Sequence, residues 1–319
     1  MNEKFILDFE LPLKEIEDKI KLLEMTSSDI GIDVADKIKK LKDELSDKIN
    51  IVYNSLSRWE TVQLARHPNR PHASDYIKSI TDYWYELHGD RLYNDDPSIM
   101  SGIAIIDDIK FFIIAQEKGR GTKDKLFRNF GMPKPEGYRK AARMMKLAEK
   151  FKLPVITLID TPGAYPGIGA EERGQGEAIA SNLILMSSLQ VPIISIVIGE
   201  GASGGALAIG LSDSILCFKN TWYSVISPEG CASILFRDSS RAAEAADAMK
   251  VTSTDLYEMG IVDKIIDEPN GAAHIDPSSA SFELKKEILK SYKSLKNKDT
   301  EKLVNDRMVK YNKIGDWIS

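Results

Sequence analysis

Apolar positions recur along this chain in three rhythms, each predicting a different element. From Leu11 to about Leu56 they fall three and four apart, at Leu13, Ile16, Ile20 and Leu23, then at Val34, Ile38, Leu41, Leu45, Ile49 and Val52, with Lys, Glu and Asp between them. That spacing gives each of two helices one apolar stripe, and Ser28-Asp-Ile-Gly-Ile-Asp33 reads as the turn joining them. The stripes fit a hairpin folded onto the chain's own body, or one packed against a partner subunit. Arg66-His-Pro-Asn-Arg-Pro-His72 is a proline-punctuated linker, and Ser74 to about Leu87 reads as a further helix. Ser101 to Gln116 reads as two strands joined by a tight turn at Asp107-Asp108.

The second rhythm is the unbroken apolar run. Leu153-Pro-Val-Ile-Thr-Leu-Ile159 and Val191-Pro-Ile-Ile-Ser-Ile-Val-Ile198 have the length and β-branched content of buried parallel strands. Short strands are predicted near 214–218, 224–226 and 261–266. Helices are predicted over 137–151, with Ala141, Met144, Met145 and Ala148 on one face, and over 171–186, 203–210, 229–236, 242–249 and 254–259. Alternating strands and helices make a largely parallel layered sheet. After Pro277 the third rhythm, charged and helical, continues to the end. The chain thus divides into an N-terminal helical hairpin (1–56), an α/β body (57–277) and a C-terminal helical extension (278–319).

A chain of 319 residues with 43% hydrophobic residues can bury one large α/β core and still carry appendages. Its net charge of -5 argues against a nucleic-acid partner. No apolar run approaches the roughly 20 residues needed to cross a membrane. The start Met1-Asn-Glu-Lys4 lacks the features of a signal peptide, so a cytoplasmic protein is expected. Two cysteines, Cys217 and Cys231, and four scattered histidines predict neither a disulfide framework nor a metal site. His67, His72 and His88 are read as packed or solvated side chains.

Candidate chemistry sits where the two apolar runs end. Asp160-Thr-Pro-Gly-Ala-Tyr-Pro-Gly167 and Gly199-Glu-Gly-Ala-Ser-Gly-Gly-Ala206 each lead into a helix-like stretch. Paired strand ends of this kind present backbone N–H groups side by side. Such groups suit negative charge developing on a carbonyl oxygen, because glycine lets a substrate approach and a helix start adds positive potential. The plainer reading is tight helix–sheet packing. Gly201-Ala-Ser-Gly-Gly205 also satisfies the G-x-S-x-G pattern of a serine hydrolase, with Ser203 as nucleophile and Asp263 and His274 following in the required chain order. Lys118-Gly-Arg-Gly-Thr-Lys-Asp-Lys-Leu-Phe-Arg128 places five cations after a predicted strand. It is either a solvated loop or a site for phosphates and carboxylates.

The two glycine loops, the continuation Ala170-Glu-Glu-Arg-Gly-Gln175 and the segment Tyr223-Ser-Val-Ile-Ser-Pro-Glu-Gly-Cys-Ala-Ser-Ile-Leu235 together resemble the carboxyltransferase α subunits of bacterial acetyl-CoA carboxylase. Ala65-Arg-His-Pro-Asn-Arg-Pro71, Gly89-Asp-Arg91 and Arg128-Asn-Phe-Gly-Met-Pro133 support the resemblance. It implies a crotonase-like (ClpP/crotonase) spiral of ββα units and transfer of a carboxyl group from carboxybiotin, on a carrier protein, to acetyl-CoA. It also implies no covalently bound cofactor, a zinc-ribbon β subunit completing the active site in an α2β2 complex, and a biotin carboxylase upstream. Under that reading Gly204 and Gly205 donate to the oxyanion at a helix start, with Gly163 and Ala164 in the facing loop. Ser203 shapes the turn and caps the helix, and Tyr165 lines the wall. Lys118, Arg120, Lys125 and Arg128 hold the CoA phosphates or the carrier. A biotin-independent crotonase-type enzyme on CoA esters, or a noncatalytic scaffold subunit, would share the fold.

Overall fold

The computed structural model describes residues 5–30 and 34–315. Of the predicted Ser28–Asp33 turn, residues 31–33 lie outside them, and Ser28–Ile30 continue the first helix. Eight strands form one sheet: β1 (Tyr83–Glu86), β2 (Ile99–Ile106), β3 (Ile109–Gln116), β4 (Val155–Thr161), β5 (Ile193–Ala202), β6 (Ser214–Phe218), β7 (Trp222–Ser224) and β8 (Lys264–Ile266). The order is β1-β2-β3-β4-β5-β6-β8, with β7 paired to the far end of β5. β1, β2 and β3 are antiparallel neighbours, and every later pairing is parallel. Asp107 and Asp108 both have positive φ (46° and 63°), the twist a two-residue hairpin requires.

Period-two alternation sends the apolar runs to both faces of the sheet. Ile156, Leu158, Ile194, Ile196 and Ile198 face the helices Ala73–Ile80 and Pro277–Leu295. Val155, Ile159, Ile193 and Val197 face the helices Pro135–Phe151 and Gln175–Ser188. The two polar residues inside the apolar runs 153–159 and 191–198 satisfy each other across the sheet, Thr157 Oγ1 donating to Ser195 Oγ at 2.8 Å.

Several sequence expectations change: the helix predicted over 203–210 stops at Leu207, and the strand predicted near 224–226 is Trp222–Ser224. The helix predicted over 74–87 ends at Ile80, because Tyr83-Trp-Tyr-Glu86 pairs with β2 as an edge strand; aromatic strand propensity plus a sheet partner overrides the helical spacing. The helix predicted over 171–186 is two, Ile168–Glu172 and Gln175–Ser188, interrupted where Gly174 takes φ 80°. The strand predicted over 261–266 begins only at Lys264.

The N-terminal hairpin and the C-terminal helices are both fastened to this body. Ala280, Leu284, Ile288 and Leu303 join the core over one sheet face. Arg307, 1% exposed, donates to the Asp213 carboxylate and to the carbonyls of Met186, Leu189 and Val191. The N-terminal hairpin packs on the chain's own body through Leu13, Tyr53, Leu64 and Ala272.

At that junction Glu10 accepts hydrogen bonds from Tyr53 Oη at 2.6 Å and Leu7 N at 2.9 Å, and lies 3.1 Å from His274 Nε2. His274 stacks on His67 with ring centroids 3.9 Å apart. Two of the four histidines that look scattered in sequence thus meet, and Glu10, His67 and His274 offer ligand atoms within 4.8 Å of one another. Asn69 N–H, however, donates to His67 Nδ1 at 3.1 Å. That leaves the neutral ring's proton on Nε2, the nitrogen facing Glu10, where a metal would need a lone pair. Burial, and then the neighbouring His274, push His67 down to about 4, against the pull of Glu10. A buried neutral histidine must be charged in the unfolded chain before it charges in the folded one. Stability is therefore expected to decline as pH falls from about 6.5 towards 4, where only the unfolded chain takes up this proton. Thermal denaturation across that window should show the decline, and His67→Gln should flatten it; equal slopes in both proteins would refute the assignment.

Candidate active site

β4 and β5 run side by side in the middle of the sheet, in register from Val155↔Ile193 to Ile159↔Val197. The register then shifts, and Thr161 pairs with Gly201. The irregularity brings the loop after β4 against the short helix Ser203–Leu207 that follows β5. A β-carbon on Gly205 would lie 2.4 Å from the carbonyl carbon of Gly163 and 2.5 Å from Ala164 N. The two glycine loops are therefore in backbone contact, which only a residue without a side chain allows. Close approach recurs behind them: β-carbons on Gly199 and Gly201 would strike the Asp160 carboxylate at 2.4 Å and the Tyr223 ring at 2.8 Å.

The expected donors do not all survive. Gly163 N–H donates to Thr161 Oγ1 at 3.0 Å and is used up inside its own loop. Its φ of 145°, a conformation side chains rarely adopt, makes it a shaping residue. Ala164 N–H has no hydrogen-bond partner among the described residues. Gly204 and Gly205 lie in the first turn of their helix, where backbone N–H groups lack helical partners. Gly204 is half-buried and Gly205 buried. With Leu207, Tyr223, Val225 and Ile261, Gly204 lines an apolar cavity of about 430 Å³.

Ser203 is not the cap. The N-cap is Ala202, no side chain caps the helix, and Ser203 itself adopts φ 60° in an exposed position. That strained turn is what a nucleophile elbow would have, but its partners are elsewhere. His274 is held at Glu10 and His67, and Asp263 accepts from Ile215 N and from Lys310. No triad forms.

Tyr165 is half-buried; its ring folds over Gly167 and lies 5.2 Å from Lys134 Nζ. Most of the basic stretch stays at the surface, and Lys118 is the cation that turns furthest inward. Lys118 Nζ sits 2.7 Å from both Asp160 Oδ1 and Glu200 Oε1. Arg120 pairs with Asp75 at 2.5 Å, and Arg128 pairs with Asp124 at 3.0 Å and donates to Pro97 O. Of the four predicted ligand cations only Lys125 has no ion pair among the described residues; it lines a cavity of about 320 Å³ with Arg66, Asn69 and Arg70.

What spacing alone did not reveal is a buried chain of charge beneath the loops. Glu200, 5% exposed, also accepts from Arg66 Nε at 2.7 Å, and Arg66 continues to Glu229. Burial works to raise the Glu200 carboxyl, but Lys118 and Arg66 hold it below the usual carboxylate range. Asp160 Oδ1 in turn accepts from Glu200 N–H at 3.0 Å. Gln116 is a second link: its Nε2 donates to Gly205 O at 2.7 Å and its Oε1 accepts from Asp160 N–H at 3.1 Å.

A central parallel sheet with two abutting glycine loops at its strand ends, and no assembled nucleophile or base among the predicted residues, defines the crotonase-like fold. The crystal structure of transcarboxylase 12S with methylmalonyl-coenzyme A bound shares this fold, with a TM-score of 0.60 and 20% identity over 74% of this chain and 44% of that one. A family profile described as acetyl co-enzyme A carboxylase carboxyltransferase-like matches residues 6–315. The acetyl-coenzyme A carboxylase carboxyl transferase subunit alpha of Flavobacterium psychrophilum is 50% identical over 312 residues, covering 98% of each chain. The protein of that name from Ruthia magnifica is 53% identical over 309 residues, covering 97% of each. The chain belongs to the acetyl-CoA carboxylase carboxyltransferase family and is a carboxyltransferase subunit of the alpha type.

Proposed function

We propose that this chain supplies the amides of Ala164, Gly204 and Gly205 to a reaction that moves a carboxyl group from carboxybiotin, on a separate carrier protein, to acetyl-CoA. Carboxybiotin releases CO2 and leaves negative charge on the ureido group. The acetyl methyl loses a proton, and the resulting enolate attacks CO2 to give malonyl-CoA. The ureido nitrogen accepts that proton, so no side-chain base is required. Two oxyanions form, one on the thioester and one on the ureido group, and each is stabilised by preorganised donors worth on the order of 3 kcal/mol apiece. The contact of Gly205 with Gly163 and Ala164 supports this reading, because it brings backbone from two strand ends together.

A partner subunit is the second part of the proposal. Val225, which lines the apolar cavity, is 80% exposed, and Ile234 and Leu235 on the helix Pro228–Leu235 are 70% and 67% exposed, apolar surface that calls for a cover. A zinc-ribbon β subunit in an α2β2 complex fits that role, with the carrier protein loaded by a biotin carboxylase in the cytoplasm. Among the described residues no helix is long and apolar enough to cross a membrane. Lys125, the cation left unpaired, serves the phosphates of CoA or the carrier.

The test mixes this chain with the β partner and follows malonyl-CoA decarboxylation dependent on a free biotin derivative. Activity in the mixture alone, and only with the biotin derivative, is expected. Turnover by either chain alone, or without biotin as in a crotonase-type decarboxylase, would overturn the reading.

A further inference from the structure

Gln116 ends β3, and its side chain reaches past the last β3–β4 ladder pair, Ala115↔Leu158. It is completely buried. Beyond that pair Asp160 N–H has no strand carbonyl to meet, and the Gln116 Oε1 at 3.1 Å replaces one. On the other side Gly205 O lies in a helix that stops at Leu207, and Ile209 N–H goes to Ala206 O at 3.3 Å. Gln116 Nε2 at 2.7 Å supplies the donor for Gly205 O. One planar amide thus holds the first residue of one glycine loop and the donor glycine of the other.

Only a glutamine satisfies both ends. The amide presents an acceptor and a donor from one rigid plane. Turning it over would set its NH2 against Asp160 N–H and its oxygen against Gly205 O, two repulsive contacts at a fully buried position. A leucine makes neither bond and leaves Asp160 N–H and Gly205 O unsatisfied. A glutamate keeps the bond from Asp160 N–H but faces Gly205 O with a second acceptor whenever it is ionised.

We infer that Gln116 is a positioning residue for carboxyl transfer: its amide fixes the separation of the Ala164 and Gly205 donors without touching substrate. This rests on the proposed carboxyltransferase reading. A misplacement of about 1 Å in such a site can cost about 100-fold in rate, whereas side-chain loss at a residue with a purely structural role would act through folding and assembly.

The experiment uses the assembled complex with its β partner and follows malonyl-CoA decarboxylation with a free biotin derivative. Wild type runs in parallel. Gln116→Leu is expected to lower kcat about 100-fold with KM for malonyl-CoA nearly unchanged and with the complex intact by size-exclusion chromatography. Gln116→Glu supplies the discriminating readout: its protonated carboxyl can again donate to Gly205 O, so its kcat relative to wild type should recover as pH falls through the carboxyl's titration. If wild type turns over while Gln116→Leu stays within about twofold of it, or if Gln116→Glu shows the wild-type pH profile, the inference fails and the function stands. If wild type with its partner shows no biotin-dependent turnover, both fail. Loss of assembly in both variants would assign Gln116 to packing and also overturn the inference.

Discussion

Gly205→Ala is expected to lower kcat at least about 100-fold, while Gly204→Ala stays within about twofold of wild type. The neighbouring glycines separate geometry from the loss of a donor, because alanine keeps the backbone N–H at either position. Neither has positive φ, so neither substitution carries a backbone penalty. A β-carbon on Gly204 meets Ile179 at 3.5 and 3.7 Å, ordinary contact. On Gly205 it meets backbone of the facing loop at 2.4 and 2.5 Å, and backbone cannot rotate aside. The loops must part by about 1 Å to reach normal van der Waals separation, moving Ala164 N away from Gly205 N. Overpacking of this kind also costs about 1–3 kcal/mol of stability. The decisive measurement is turnover at constant assembly with the β partner. Equal effects at the two glycines, or lost activity that merely tracks lost assembly, would mean that the loops pack and do no chemistry.

The residues differ in how much of their role was visible before folding. The paired loops were legible because both signals are local: an apolar run of strand length, then glycines. The donor set was only partly legible, since the Gly163 N–H is consumed by Thr161 Oγ1, a contact between residues two apart that composition does not announce. Ser203 was misread as a cap because serine at a helix start favours capping, whereas here the strand-to-helix turn falls on Ser203 itself and forces φ positive. Segment 83–86 was misread because helical spacing and aromatic strand propensity competed, and the partner that decides between them, β2, begins thirteen residues later at Ile99. Gln116 and Lys118 were the least legible. Their partners lie 44, 82 and 89 positions away for Asp160 N, Glu200 and Gly205 O, and only the sheet brings them within reach. A cation-rich segment in an acidic chain invites a ligand-binding reading; what turned Lys118 inward was carboxylates supplied by distant strand ends.

That inward turn makes Lys118 the second position of large effect. Lys118→Met keeps the aliphatic stem and removes the ammonium that lies 2.7 Å from Asp160 and Glu200, which are only 4% and 5% exposed. Removing one partner from a buried ion pair typically costs about 3–5 kcal/mol, because the remaining charge is left uncompensated. Arg66 still neutralises Glu200 in part, at 2.7 Å, which places the expected loss at the lower end, about 3 kcal/mol. Burial, which works to raise the Glu200 carboxyl, would then be opposed by Arg66 alone, so the variant should regain stability relative to wild type as pH falls and Glu200 takes up a proton. The same loss should reach the site, since Asp160 Oδ1 holds Glu200 N–H and with it the approach of β5 to the glycine turn. Denaturant unfolding at neutral and mildly acidic pH measures the first effect and turnover with the partner the second. A deficit that does not shrink on acidification would show that the cost arises from lost packing, and that the buried charges beneath the loops are compensated some other way.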